Sequence, residues 1–499
     1  MEALAAAFGL VLQADVLTAV ALAAVFGLFV GAIPGLTATM AVALLVPVTI
    51  FMEPVPAVAV VVTVVATAIF AGDIPGALLR IPGTPASAAY TDDAFAMSRA
   101  GDAELALGVS LVYSVLGGLV GAVVLTAAAP LLAEFALQFS SFEYFWLASL
   151  GLTCAVFMSA ESRVKAIGSL LLGLLVSTVG LDVVSGQARF TFGRTELLGG
   201  INFIPVLIGL FAVSEVIRHM AASTPDLRVP ARRIGNIFAG VAAVGRRHWR
   251  SVIRGNALGV GIGILPGAGG DIAAWIAYAV SKRCSRHPEL YGQGHVEGIV
   301  ESASANNSAL ASAWIPTLVF GIPGDSTTAI IIGVLYMQGL NPGPTVFLER
   351  PELVYAVFLT FFLANLVMLP LGLAAIKSAT LLLRVPRDLL MPIILACCIV
   401  GAFAINNAAF GIVVMLVFGL VGFLMEENGF PLTPAILGMV LGRMVEEQFM
   451  ISMIKAEGSV LAFVDRPIAG LLALLALTVW AWPAVQIARA RVAGLRPVG

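Results

Sequence analysis

Four Pro-Gly pairs inside long apolar stretches carry the most specific chemistry of this sequence. They are Pro34-Gly35, Pro82-Gly83, Pro266-Gly267 and Pro323-Gly324. Proline and glycine interrupt a helix, and an interruption within lipid leaves N–H and C=O groups that need partners. Helix N-termini attract anions, whereas unwound carbonyls and amide side chains coordinate small cations. We therefore expect these breaks to bind an anion together with a coupling cation.

Small polar residues near the breaks supply the candidate ligands. Hydroxyls, amides and glycine N–H groups bind carboxylate oxygens or coordinate Na+. The predicted anion-binding residues are Gly35, Thr37, Gly83, Thr84, Gly267, Gly269, Gly270, Asn306, Asn307, Gly324, Ser326 and Thr327. The predicted ion-binding residues are Asp325, Asn306 and Asp73. Two alternatives stay open, since a single Ser or Thr can serve helix packing and Asp325 can cap a half-helix.

Other charged residues near the breaks have simpler explanations. Arg80 stands just before Ile81-Pro82-Gly83 and either pairs with a substrate carboxylate or snorkels to an interface. The nearby charges of Asp92, Asp93 and Asp102 are explained by topology alone.

The sequence predicts no catalytic residue, no metal site and no cofactor other than Na+ or H+ as a coupling ion. The four cysteines fit neither a zinc nor a redox spacing, and the four histidines lie in polar stretches. No zinc-protease, nucleophile-elbow or Walker pattern is present.

The elements that position these residues must lie in a membrane. Of 499 residues, 60% are hydrophobic and 11% are charged, and mean hydropathy is +1.02. A soluble fold of this length could not bury that much apolar surface. This composition excludes a cytosolic enzyme, a nucleic-acid binder and a secreted disulfide scaffold. The net charge of -2 points to no particular partner.

The apolar stretches predict an all-α polytopic membrane protein with about 11–14 membrane passages or half-passages. We expect a first membrane repeat over 1–217, a basic cytoplasmic loop over 218–254, and a second membrane repeat over 255–425. C-terminal membrane helices and a basic tail follow over 426–499. Because positively charged loops stay inside, the loop and the C-terminus are placed in the cytoplasm.

Residues 255–280 are expected to form a re-entrant hairpin. Basic clusters flank both ends, with Arg250 and Arg254 before the segment and Lys282 and Arg283 after it. A single full span would place one of these clusters outside the cell. A break at Pro266-Gly267 gives two arms of about 16 Å, roughly half the hydrocarbon thickness. The alternative is one kinked span that obeys the charge rule weakly.

The two halves carry the same breaks in the same order. The first breaks recur at an offset of 232 residues, and the paired Ile-Pro and Ile-Pro-Gly motifs at an offset of 241. The first hairpin, around 24–51, is flanked by Asp15 and Glu53 rather than by basic residues. It is therefore predicted to enter from the opposite face. Two inverted repeats with broken helices are typical of secondary transporters.

These motifs resemble the large membrane subunit of the tripartite tricarboxylate transporters, the TctA type. The matching segments are 31–36 (Gly-Ala-Ile-Pro-Gly-Leu), 44–47 (Leu-Leu-Val-Pro), 81–85 (Ile-Pro-Gly-Thr-Pro), 93–101, 265–270 (Leu-Pro-Gly-Ala-Gly-Gly), 277–283 (Ala-Tyr-Ala-Val-Ser-Lys-Arg), 306–307 (Asn-Asn) and 322–325 (Ile-Pro-Gly-Asp) through to 339–343 (Gly-Leu-Asn-Pro-Gly). Three residues before Asn306 the family often has an acid, where this chain has Ala303 and, nearest to it, Glu301.

The resemblance implies a secondary transporter that works with two partners. One is a small TctB-like membrane subunit, and the other is a TctC-like periplasmic solute-binding protein that delivers the anion. Family substrates are di- and tricarboxylates such as citrate and other organic acids, coupled to Na+ or H+. The alternatives are a stand-alone anion carrier, an anion channel with a Gly-rich re-entrant filter, and, ranked lowest, an intramembrane enzyme.

Overall fold

The computed structural model describes residues 2–158, 162–182, 184–221, 235–383, 387–405 and 407–492, and these residues are predominantly helical. In the first half, the α-helices are α1 (Glu2–Val11), α2 (Ala14–Ala32), α3 (Ala38–Thr49), α4 (Pro54–Ala71), α5 (Asp73–Leu79), α6 (Thr91–Ala100), α7 (Ala103–Ala136), α8 (Ser141–Met158), α9 (Arg163–Ser177), α10 (Phe203–Ile208), α11 (Ser214–Ala221) and α12 (Val241–Arg247). In the second half they are α13 (Trp249–Gly263), α14 (Gly269–Cys284), α15 (Val296–Ser312), α16 (Trp314–Phe320), α17 (Ser326–Met337), α18 (Val346–Glu349), α19 (Pro351–Lys377), α20 (Ala379–Leu382), α21 (Arg387–Ala404), α22 (Ala409–Glu427), α23 (Leu432–Lys455), α24 (Ala462–Asp465) and α25 (Pro467–Val492). Strands β1 (Gly180–Leu181) and β2 (Ala188–Arg189) form a short antiparallel hairpin.

The described residues include seven helical segments long and apolar enough to cross a membrane. They are Ala14–Ala32, Pro54–Leu79, Ala103–Ala136, Ser141–Met158, Phe203–Ala221, Pro351–Lys377 and Ala409–Glu427. The segment Pro54–Leu79 is 94% buried, whereas 28–61% of each of the other segments is buried by protein. These segments confirm the predicted all-α polytopic membrane architecture.

The chain divides into two compact units. The first comprises Met1–Glu134 and Asn202–Asn428, and the second comprises Phe135–Ile201 and Gly429–Gly499. All four Pro-Gly breaks fall in the first unit. The buried centre of that unit includes α4, in which every residue from Pro56 to Ala71 is buried, and α15, which is buried from Gly298 to Ser312.

The first hairpin turns at Pro34-Gly35 between α2 and α3. Gly35 adopts a φ of 91°, a left-handed conformation that glycine reaches without strain. The hydroxyl of Thr37 accepts a hydrogen bond from the Met40 N–H and so caps α3. Helices α2 and α3 both pack against α4.

The second hairpin turns at Pro266-Gly267 between α13 and α14. Gly267 and Gly269 have φ values of 80° and 65°. Each arm is longer than expected, since α13 has 15 residues and α14 has 16. Arm α13 begins at Trp249 and therefore includes Arg250 and Arg254, which the sequence analysis places in a loop. Both arms pack against α15.

The same close helix contact occurs in both hairpins. A Cβ on Gly31 would lie 2.2 Å from the Ala68 carbonyl oxygen, and one on Gly263 would lie 2.4 Å from the Ala309 carbonyl oxygen. These two pairs are related by the sequence offsets of 232 and 241. In each half, bare glycines therefore let a hairpin arm touch the backbone of the buried central helix. The inversion of the halves stays a prediction.

The segments after α4 and α15 also correspond. Short helices α5 and α16 end at Arg80 and Gly321, which have φ values of 60° and 68°. After each Ile-Pro-Gly motif, two residues three positions apart exchange hydrogen bonds. The Thr84 and Ser87 N–H groups each donate to the other residue's hydroxyl, at 3.1 and 3.2 Å. The Thr328 N–H donates to the Asp325 carboxylate at 2.7 Å and the Asp325 N–H donates to the Thr328 hydroxyl at 2.8 Å, which forms a capping box on α17.

The second unit contains α8, α9, α23 and α25 as packed helices. Helix α9 touches α23, since a Cβ on Gly173 would lie 1.9 Å from the Ala435 carbonyl oxygen. Arg189 of β2 pairs with Glu446 of α23 at 2.5 Å, and Arg466 pairs with Glu143 at 2.9 Å.

The predicted basic loop, 218–254, lies partly outside the described residues, since 222–234 are not described. Its described part contains the end of α11, all of α12 and the start of α13. The side chains of the predicted basic tail, with Arg489, Arg491 and Arg496, also lie outside the described part. The domain boundaries predicted from the sequence stay predictions.

Candidate binding site at the helix breaks

The N-terminus of α14 lies against α15 and the Asp325 loop. A Cβ on Gly269 would lie 2.8 Å from the Asp325 Cβ, and one on Gly270 would lie 2.6 Å from the Asn306 amide oxygen. Only glycine fits such close approaches. Four predicted site residues from three distant segments therefore meet here: Gly269, Gly270, Asn306 and Asp325.

Asp325 caps α17. One carboxylate oxygen accepts hydrogen bonds from the Thr328 N–H at 2.7 Å and the Thr328 hydroxyl at 2.8 Å. The side chain is half-buried. The capping alternative is therefore observed, and the second carboxylate oxygen, Oδ2, lies beside Gly269.

Asp271 joins the breaks of the two halves. Its carboxylate accepts a hydrogen bond from the Ala86 N–H at 3.0 Å. One turn later, the Trp275 indole N–H donates to the Pro85 carbonyl oxygen at 3.1 Å. The tip of the second hairpin is thus fixed to the loop that follows Gly83-Thr84. The Asp271 carboxylate also lies within electrostatic range of Asp325.

Asp73 is buried in the first half of the site. Its carboxylate accepts a hydrogen bond from the Tyr90 hydroxyl at 2.7 Å and another from the Ser110 hydroxyl. The preceding residue, Gly72, packs on Gly83 and Thr84. Tyr90 lies within electrostatic range of both Asp73 and Asp271.

These three carboxylates have no cationic partner. None of the ion pairs among the described residues includes Asp73, Asp271 or Asp325. A carboxylate within the membrane zone is costly unless a proton, a cation or hydrogen bonds compensate it. The arrangement can therefore hold a proton or a small cation.

The two asparagines of α15 add unpartnered acceptors. Asn306 and Asn307 are each 1% exposed, and neither amide oxygen has a hydrogen-bond partner. The Asn307 amide nitrogen donates to the Ala303 carbonyl oxygen, so its oxygen is the free end. A buried unpartnered amide costs free energy, which a bound solute or ion would recover.

The remaining predicted residues lie at the breaks. Gly35 and Thr37 form the first hairpin tip, and the Thr84 hydroxyl accepts a hydrogen bond from the Ser87 N–H. Gly324 packs on Ala313 between α15 and α16. Gly267 turns the second hairpin. Ser326 and Thr327 form the first turn of α17.

The sequence analysis missed several polar residues of the site. Asp271 could have been predicted, since it directly follows Gly269-Gly270 at a predicted tip. Tyr90 and Ser110 gave no signal, because their partner Asp73 is 17 and 37 residues away. Trp275 gave none either.

Asp93 is a buried staple rather than a loop charge. It accepts hydrogen bonds of 2.8 Å from the N–H groups of Gly292, Gly294 and His295, and one of 2.6 Å from the Tyr278 hydroxyl. Its side chain is fully buried, so topology alone does not explain it. It fixes the loop between α14 and α15.

Two more charged residues are occupied elsewhere. Glu301, the nearest acid to the position where the resembling family often has one, is fully buried and pairs with Arg254. Arg80 is exposed and pairs with Asp92 at 2.8 Å. Neither side chain is thereby directed at Asn306 or Asn307.

Polar residues also support the outer ends of α13 and α15. The Glu297 carboxylate accepts hydrogen bonds from the Ser251 and Ser285 hydroxyls, each at 2.7 Å. Burial lowers the pKa of the neighbouring His248.

Together, the fold and this site define a polytopic α-helical membrane protein with broken helices that meet around buried polar groups. Such an arrangement is typical of proteins that carry solutes across membranes.

The chain belongs to the tripartite tricarboxylate transporter TctA family, whose sequence profile matches residues 17–437. It is therefore a membrane component of tripartite tricarboxylate transporters.

Two relatives come from Agrobacterium vitis. The chain is 36% identical over 451 residues to a protein described as "Uncharacterized 52.8 kDa protein in TAR-I ttuC' 3'region", which covers 90% of this chain and 89% of the relative. It is 35% identical over 216 residues to "Uncharacterized protein in TAR-II ttuC' 3'region", which covers 43% of this chain and 89% of that relative. No solved structure matches the chain.

Proposed function

We propose that this chain is the large permease subunit of a binding-protein-dependent secondary transporter. It imports di- or tricarboxylates, or related organic anions, by symport with Na+ or H+ across the bacterial inner membrane. Its partners are a TctB-like small membrane subunit and a TctC-like periplasmic binding protein. The C-terminus lies in the cytoplasm.

One observation carries this proposal. Carboxylates without a cationic partner lie at the helix breaks together with an amide oxygen that has no hydrogen-bond partner among the described residues. Asp271 and Asp325 adjoin the α14 N-terminus, where Asn306 presents a free oxygen. A coupling ion would neutralise the carboxylates and so remove their repulsion of an anion bound beside them. Because the anion would then bind only after the cation, the uptake of the two solutes would be coupled.

The N-terminus of α14 is the proposed anion contact. Its first N–H groups and positive dipole end favour a carboxylate, and the glycines let that group approach the backbone. The amides of Asn306 and Asn307 would orient the substrate, while Asp325 and Asp73 would hold the ion. The hairpins would then alternate access by moving against α4 and α15.

The proposal is tested by uptake of labelled carboxylates into proteoliposomes that contain the chain and the small subunit. Uptake is expected only with an imposed Na+ or H+ gradient and with the binding protein present. Uptake that ignores the binding protein would indicate a stand-alone carrier. Flux that ignores both gradients would indicate a channel and overturn the proposal.

Asn307→Ala tests the site itself. It should reduce uptake about 5- to 30-fold, because one good polar contact is worth about 1–2 kcal/mol. The matched control is Ser312→Ala on the same helix, whose fully buried hydroxyl already bonds the Ser308 carbonyl oxygen. Normal uptake by folded Asn307→Ala would remove this residue from the site.

A further inference from the structure

A second group of unpartnered oxygens lies where α7 meets α15 and α19. Asn365 is 1% exposed, Ser114 is 1% exposed and Ser304 is fully buried. The Asn365 amide oxygen and the two hydroxyls all lack a hydrogen-bond partner. Buried hydroxyls in apolar helices ordinarily bond a backbone carbonyl, as Thr360 and Ser312 do on α19 and α15.

Two consecutive glycines of α7 bring these groups to one place. A Cβ on Gly118 would lie 1.9 Å from the Asn365 amide oxygen. A Cβ on Gly117 would lie 2.3 Å from the Ser304 carbonyl oxygen. Ser114 precedes them by three and four residues, so it lies on the same face of α7. Helices α15 and α19 therefore pack on consecutive glycines of α7, and the three oxygens belong to residues at this junction.

The unbonded atom of the Asn365 amide determines whether a ligand here is an anion or a cation. Its nitrogen donates to the Phe361 carbonyl oxygen at 2.8 Å. The atom left over is therefore an acceptor, which repels an anion and suits a cation or a hydrogen-bond donor.

The charge of the surroundings supports a monovalent cation. The Asn365 amide and the two serine hydroxyls are neutral. Divalent cations are usually bound in proteins by carboxylates, which offset the cost of removing their water. One turn along the same face of α7, Ser110 bonds the buried carboxylate of Asp73. This nearby negative charge favours a cation beside Ser114 without binding it directly.

We propose that Asn365 Oδ1, Ser304 Oγ and Ser114 Oγ form a Na+ site between α7, α15 and α19. This inference deepens the proposed function, because an ion bound here would connect the Asp73 side of the site to the helix that carries Asn306 and Asn307. Ordering of α7 against α15 by Na+ would then fix the buried face on which the anion site is built.

The test is binding of radioactive Na+ to the purified full chain in lipid nanodiscs, with choline chloride keeping ionic strength constant. Saturable binding is expected without any substrate. Asn365→Ala and Ser304→Ala should each weaken it roughly tenfold or more. Asn365→Asp keeps an oxygen at the same place and should retain binding.

Thr360→Ala and Ser312→Ala are the matched controls, since they remove hydroxyls that are equally buried but already bonded. They should leave Na+ affinity unchanged. Thermal unfolding of each variant separates loss of fold from loss of the site, and Na+ should raise the unfolding temperature of the wild type but not of Asn365→Ala. Unaltered Na+ affinity in folded Asn365→Ala and Ser304→Ala would overturn the site and leave water as the ligand of these oxygens.

Uptake in the same preparation separates this inference from the proposed function. Gradient-driven uptake by a protein that binds no Na+ would overturn the Na+ site and leave a proton-coupled transporter. Na+ binding that depends on Asn365, in a protein without carboxylate uptake, would support the site and contradict the proposed function.

Discussion

At the scale of single residues, Asp93 shows how one buried carboxylate can hold a loop in place. Three backbone N–H groups and a tyrosine hydroxyl converge on it. Hydrogen bonds to a charged group contribute more than neutral ones. The loop that joins the second hairpin to α15 therefore depends on this side chain.

Asp93→Asn should destabilise the protein by about 2–3 kcal/mol, because the three N–H groups lose a charged acceptor and the new amide nitrogen faces the Tyr278 hydroxyl, which donates to Oδ2 in the wild type. It should also speed the labelling of a cysteine placed at the exposed position Gln293. Thermal unfolding and labelling rates measure the two effects. Asp92→Asn is the control, since Asp92 is exposed and bonds Arg80. Equal effects of the two changes would contradict the staple.

Arg80 carries a backbone strain that its counterpart does not. It has a φ of 60°, where the second half has Gly321. A side chain in this region costs about 1–2 kcal/mol. Arg80→Gly should therefore stabilise the protein by about 1 kcal/mol, whereas Arg80→Ala should not. Both changes remove the exposed ion pair with Asp92, so the difference between their unfolding free energies isolates the backbone. A difference near zero would contradict the interpretation.

At the scale of helices, the close approach of hairpin arm to central helix is the decisive contact. Gly263→Ala would place a methyl group 2.4 Å from the Ala309 carbonyl oxygen. Such overpacking costs about 1–3 kcal/mol and should displace α13, which reduces uptake. Gly261→Ala on the same helix is the control, because nothing lies within 4 Å of its Cβ. It should keep uptake and gain slight stability. Parallel unfolding and uptake assays on both variants measure these effects, and a harmless Gly263→Ala would exclude the contact from function.

The helix breaks could be predicted from the sequence because Pro-Gly pairs act locally. Other features could not, since they depend on residues far apart in the chain. Asp93 binds an N–H group 199 residues away, and Asp271 binds one 185 residues away. The sequence analysis placed Arg254 in a loop, because its ion pair with Glu301 forms only when α13 and α15 pack together and could not be predicted from the sequence. Asn306 could be predicted from the sequence, because paired amides are unusual within an apolar stretch.

At the scale of the whole molecule, the two halves share contacts as well as motifs. Glycine approaches, left-handed helix ends and reciprocal hydrogen-bond pairs recur at the same offsets. The direction of insertion is the remaining prediction, since the first hairpin is flanked by acids and the second by basic residues.

A cysteine at position 53 and the native Cys284 test that inversion. Both positions are exposed. With the other cysteines replaced by serine, an impermeant maleimide added to intact cells should label position 53 and not Cys284. A cysteine at His287, which is also exposed, should behave like Cys284. Labelling of positions 53 and 284 from the same side would contradict the inversion.

The buried state of α15 has a consequence for how the chain is made. This helix carries Glu297, Glu301, Asn306 and Asn307, and it is not among the described helices apolar enough to cross a bilayer. A charged residue at the centre of a helix that leaves the translocon costs about 2.5–3.5 kcal/mol. The ribosome delivers α13 and α14 first, and these helices bring Arg254 for Glu301 and glycines for the asparagine face. Synthesis order thus lets α15 partition into the bilayer with its companions rather than alone.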